Sequence, residues 1–160
     1  MEKGTGKIRL NPPIAGNQLP TRARRIAPAN SLAISSVRPN LKGFAYIKES
    51  MPTTLFSTGF AILQGKESLK TPFLYALFMF SSDLMRQMEE KMPKASYPSL
   101  NTEDFRNLKI PLPPLKAQEQ ILAVVEALES KIALLQAQSP NLQAQQQAIL
   151  QECLGTAESN

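Results

Sequence analysis

From Ser31 the chain alternates short apolar runs with turns, and from Thr71 its apolar positions take up a helical period. The runs "SLAISSV", "GFAYIKE" and "TTLFSTGFAILQ" are β-branched or aromatic and bounded by turn residues, which predicts strands of a small mixed sheet, the third interrupted at Gly59. Before them, "NPPIAGNQLPTRARRIAPAN" has four prolines and little periodicity, and predicts a loop with room for one short strand. "TPFLYALFMFSSDLMRQMEEKM" predicts one helix with Thr71 as cap and Pro72 in the first position. Leu74, Leu77, Phe78, Leu84, Met85 and Met88 give it a broad apolar face to lay against the sheet. Asn101 is placed to cap a short helix "TEDFRNL" with Asp104 at its third position, and "KIPLPPL" follows as an extended, proline-fixed segment.

The tail has a different pattern. Ile121, Val125, Leu128, Ile132 and Leu135 are spaced 4, 3, 4 and 3 apart, the a/d pattern of a coiled-coil seam. A single rod cannot cover its own stripe. "QSPN" then offers Ser139 as a cap and Pro140 as the first position of a second helix with Leu142, Ile149, Leu150 and Leu154, ended at Gly155. Two forms fit: a helical hairpin folded back on itself, or a long kinked helix whose stripe is covered by another chain. The fold class is therefore α/β in the α+β sense, with a sheet-and-helix domain at 1–114 and a helical region at 115–160.

Composition removes most catalytic classes. The 160 residues include no histidine and one cysteine, Cys153, so zinc clusters and histidine-based dyads cannot be built within the chain, and no cofactor or metal is expected. Asp83, Glu89 and Glu90 fall in a helical pattern and Glu103 and Asp104 at a helix start, where carboxylates solvate a face or complement the helix dipole. A lone cysteine fits a reducing, cytoplasmic setting. The most apolar run, "FLYALFMF", is 8 residues, short of the ~20 a bilayer crossing needs, and no signal peptide is visible in the first residues.

Charge separates the regions. Residues 1–50 hold nine Lys/Arg against two Glu, residues 51–115 seven against six, and residues 116–160 two against five. A basic globular part suits a polyanion such as double-stranded DNA, whereas a Gln- and Ala-rich tail suits a protein partner.

The stretch "SYPSLNTEDFRNLKIPLPPLKAQEQILAVVEALESKI" resembles the end of a target recognition domain and the start of the spacer helix in specificity (S) subunits of type I restriction-modification systems. "NSLAISSVRPNLKGFAYI", "FSTGFAIL" and the closing "QQQAILQECLG" agree with that family in order, so the resemblance spans roughly residues 28–155. It implies a non-catalytic DNA reader. In that family methyltransferase (modification) subunits dock on the S subunit's helices and methylate adenine, and a separate restriction subunit cuts. A full S subunit carries two recognition domains and two spacer helices, and one of each is seen here, so the resemblance implies a half-subunit or truncated form that pairs with a second copy through its helices. The alternatives are a module that binds a methyltransferase without reading DNA, or the recognition segment of a larger methyltransferase-endonuclease.

Three groups of residues are candidates for DNA contact. Ser35, Arg38, Asn40 and Lys42 occupy a strand end and loop where the family approaches DNA; Arg and Asn suit guanine and adenine edges, Ser and Lys phosphate. Thr58, Lys94, Ser96 and Tyr97 form a second group, and Arg22, Arg24 and Arg25 a third, phosphate-directed one. Each group is also what a solvated surface loop contains. Ile121, Val125, Leu128, Ile132 and Leu135 are assigned to partner or self association.

Overall fold

Strand β2 (Ser31–Ser35) is apolar on both faces because both faces are covered. The computed structural model describes the backbone of residues 1–93 and 98–155, with side chains through residue 138 and at 145. Within it β2 is the middle strand of a three-stranded antiparallel sheet, paired with β3 (Phe44–Ile47) on one side and β5 (Phe60–Leu63) on the other. Successive side chains along a strand point to opposite faces. Leu32 and Ile34 of β2, with Phe44 of β3, therefore enter one cluster with Leu74, Phe78 and Met88. Ala33, Ala45 and Ile47 enter a second with Ala27 and Phe56. A second sheet, β1 (Ala23–Arg25) paired antiparallel with β4 (Phe56–Ser57), contributes Phe56 to that second cluster. The expected small sheet is thus two antiparallel sheets, and the run broken at Gly59 divides between them.

The predicted long helix is two. Helix α1 (Thr71–Phe80) ends and α2 (Ser82–Lys91) begins at Ser81, whose extended backbone (φ −79°, ψ 115°) breaks the axis. Ser81 Oγ accepts from Leu84 N–H, as an N-cap does. The break lets Phe78 of α1 meet Phe44 edge-to-face, ring centroids 5.8 Å apart, while Leu84 and Met88 of α2 bury in the same cluster. Helix α1 starts one residue earlier than expected, with Lys70 in the cap position and Thr71 inside; the buried Thr71 hydroxyl instead accepts from Gly65 N–H at 2.9 Å.

Helix α3 (Thr102–Arg106) has the expected cap. Asn101 accepts from the backbone of Glu103 and Asp104, and the Asp104 carboxylate accepts in return from Asn101 N–H, a capping box.

Of the two forms expected for the tail, the structure has the long one: α4 runs Leu115–Gly155, through Ser139 and Pro140. "QSPN" does not start a second helix. A proline removes one backbone bond and costs about 3 kcal/mol, but a reversal also needs a loop of turn residues, and good helix formers flank this one on both sides. The side chains of Leu142, Ile149, Leu150 and Leu154 lie outside the described residues. The chain forms two compact units, Met1–Leu122 and Ala123–Asn160, which divide within α4.

In the first unit, the opening turns of α4 are pinned by Gln118, a polar side chain with no exposed surface. Its Nε2 donates to Ser68 O and Pro113 O, both at 2.8 Å, and its Oε1 accepts from Lys70 N–H at 2.9 Å. Every polar atom of the amide that points inward is satisfied, so burial costs little. In the second unit Leu128, Ile132 and Leu135 are each more than half exposed. None of the described helices is long and apolar enough to cross a membrane.

Candidate nucleic-acid interface

The loop between β2 and β3 is held in an unusual backbone. Arg38 (φ 47°) and Lys42 (φ 50°) both adopt the left-handed conformation, one on each side of a 3-10 turn, Pro39–Leu41. That conformation costs a side-chain-bearing residue roughly 1–2 kcal/mol, and a glycine would avoid it. The turn is closed by Leu41 N–H on Arg38 O (2.9 Å) and Lys42 N–H on Pro39 O (2.8 Å), with Pro39 buried beneath. Arg38 N–H also donates to Pro98 O at 3.0 Å, and Val37 pairs with Ser99. The result is a rigid tip with Asn40 exposed on it.

The sheet partners bring distant residues to the foot of this tip. Thr58 N–H donates to Arg22 O (2.8 Å) and Arg22 Nε to Thr58 Oγ1 (3.4 Å), which fixes Arg22 against the turn after β4. Gly59 O accepts from both the backbone and the hydroxyl of Ser36, at 2.8 and 2.9 Å, tying that turn to the end of β2. Between these ties lies a groove of about 590 Å³ whose polar lining is Lys3, Arg22, Ser35, Arg38 and Ser57. Pro20, Val37, Leu41, Gly59 and Phe60 form its apolar floor and sides.

Ser35 and Arg38 of the first group and Arg22 of the third thus share one groove, with Thr58 of the second bonded to Arg22. The other candidates lie elsewhere. Lys42 Nζ donates to Met79 O at 2.7 Å, where the last carbonyls of α1 lack helical partners. Arg24 Nε donates to Thr21 O at 2.6 Å, and Arg25 is half-buried on β1 opposite Phe56. Lys94, Ser96 and Tyr97 lie outside the described residues. Sequence reasoning missed Lys3 and Ser57. Ser57 lay in the quoted "FSTGF", where a hydroxyl beside Thr58 was a usable signal; nothing in the pattern pointed to Lys3.

Two carboxylates of α2, Asp83 and Glu90, are occupied by their own helix. Arg86 bonds Asp83 three residues before it and Glu90 four after, and Gln87 donates to Asp83. Hydrogen bonds from Arg86 and then Gln87 hold the Asp83 carboxyl below its ordinary range, and those to Asp83 and Glu90 raise Arg86. Gln87 also exchanges two bonds with the Lys109 backbone, at 2.9 and 2.8 Å. These are helix-surface ladders and a tether, and they line an open depression of about 560 Å³ together with Lys91 and Asn107.

Residues 21–144 match the family model for the type I restriction modification DNA specificity domain. Among solved structures, the HsdS subunit from Thermoanaerobacter tengcongensis is 32% identical with a TM-score of 0.72, the match covering 83% of this chain and 34% of that one. A chain from a structural study of complex assembly and conformational transition in the type I R-M system is 30% identical with a TM-score of 0.75, covering 90% of this chain and 37% of that one. The chain therefore spans little more than a third of the length of these relatives. No curated protein matches it.

Proposed function

This chain belongs to the family of type I restriction modification DNA specificity domains, and from that premise we propose that it is a non-catalytic, cytoplasmic reader of double-stranded DNA. It directs adenine methylation, and restriction of unmodified DNA, by partner subunits. The observation that carries this reading is the groove in which Arg22 and Arg38 converge with Ser35 below the exposed Asn40 tip. Clustered guanidinium and hydroxyl groups suit phosphate, and a rigid tip with Arg38 and Asn40 suits base edges. Left-handed strain held at Arg38 is the kind of conformational expense that functional loops retain.

The exposed stripe Ile121, Leu128, Ile132 and Leu135, with Val125 between, is the surface for a helical partner. It fits the modification subunit, and a second copy of the chain that supplies the other half-site. The same stripe supports a second reading, in which the chain holds a methyltransferase without reading DNA.

Selection from a random-sequence duplex pool, with the chain alone and with a cognate modification subunit, separates the two. Enrichment of a two-part motif that disappears in Arg38→Ala or Asn40→Ala supports the reader. Retention of the modification subunit with no enriched DNA sinks it and leaves the interaction module.

A further inference from the structure

Residues 1–20 precede the stretch matched by the family model, yet Met1–Ile8 is docked on the globular unit. It closes on itself through Glu2 N–H on Lys7 O at 3.0 Å and Thr5 Oγ1 on Glu2 O at 3.3 Å. Three attachments fix it. Met1 and Ile8 pack on the second core cluster, the one that holds Ala33 and Phe56. Gly4 N–H donates to Lys42 O at 3.0 Å, which joins the segment to the base of the 3-10 tip. Gly6, at φ +73°, lies so close to Tyr75 that a Cβ there would collide with the phenol oxygen. Lys3, held between these points, lines the groove with Arg22 and Arg38. Among the described residues no carboxylate pairs with Lys3 or with Arg22.

We infer that Met1–Ile8 is an arm that adds Lys3 to the DNA-reading groove as a phosphate-directed cation. The inference rests on the reading of that groove as a DNA site. Lys3 and Arg22 face one groove with no carboxylate paired to either among the described residues, so their like charges repel, and a row of phosphates relieves that repulsion. An ammonium on a flexible stem recognises phosphate as a point charge and carries no base information. Lys3 therefore contributes affinity that is uniform across sequences, while Arg38 and Asn40 contribute choice. Because Gly4 is bonded to Lys42, the arm also steadies the tip from below.

The test is the salt dependence of binding to a random-sequence duplex by the intact chain, Lys3→Gln, Gly6→Ala and the double variant. Losing one phosphate contact lowers the slope of log K against log salt by about one and weakens binding equally on all sequences. Lys3→Gln is expected to show that loss with an unchanged melting temperature. Gly6→Ala, which lifts the arm, is expected to match it, and the double variant to be no weaker than either alone. Wild-type slope in Lys3→Gln or in Gly6→Ala overturns the arm and leaves the groove standing. A wild-type chain that shows no salt-dependent binding overturns the groove, and the arm with it.

Discussion

The two units of this chain handle polarity in opposite ways. In the globular unit a glutamine, Gln118, is sealed from solvent, while in the helical unit Leu128, Ile132 and Leu135 face water. The first is possible because all three of its inward bonds are made, to Lys70, Ser68 and Pro113. The second is the surface proposed above for a helical partner. One unit buries a satisfied polar side chain and the other exposes an apolar row, so the same kind of substitution is expected to have opposite consequences at these two places.

The contrast can be broken most severely at Phe44. Phe44→Ala empties a fully buried site under Phe78 and is expected to destabilise the globular unit by about 3–5 kcal/mol, read as a lower urea midpoint. A midpoint within error of wild type would mean the sheet-helix interface is not the core. Gln118→Leu keeps the size but strands one N–H and two carbonyls, and about 2–3 kcal/mol of destabilisation is expected. A stabilised Gln118→Leu would show instead that the amide is a polar defect.

On the helical side, Leu128→Lys with Ile132→Lys is expected to change the globular unit's melting by no more than ~0.5 kcal/mol. The same pair is expected to abolish the proposed association with the modification subunit or with a second copy, measured by sedimentation velocity. Association that survives both charges would move the partner surface elsewhere.

The smallest expected effect is electrostatic. Bonds from Arg86 and Gln87 lower the Asp83 carboxyl in the folded chain, so its contribution is present above the unfolded pKa. It disappears as pH falls through the lower folded value. Because the group is fully exposed, the change is small: the melting difference between wild type and Asp83→Asn should be constant near neutral pH and vanish in acid. A difference that grows in acid would place the effect on another group.

Local signals were legible where the chemistry is local. The Asn101 and Asp104 capping box is complete within four residues, and the strand runs announced themselves by composition. The split at Ser81 was also written, in "SSD", but the apolar period continues from Leu77 to Leu84 and hid it. Non-local information was not legible. The candidate cations at 22 and 38 belong to one groove only because β1 pairs with β4 and the turn after β4 is tied to Ser36. Gln118 lies in the quoted "PLKAQEQIL", but its three partners come from two separate loops and leave no mark on the neighbouring sequence.

The amide that fixes the start of α4 carries no proton that titrates and no net charge. The groove, in contrast, would attract the DNA proposed for it through cations, an interaction that salt weakens steeply. Ionic strength therefore weakens the cationic contacts of the groove and the exposed Lys70–Glu119 ion pair, and spares the Gln118 amide. On the proposed reading, a brief salt wash would strip nucleic acid from the groove while the Gln118 amide keeps the opening turns of α4 seated.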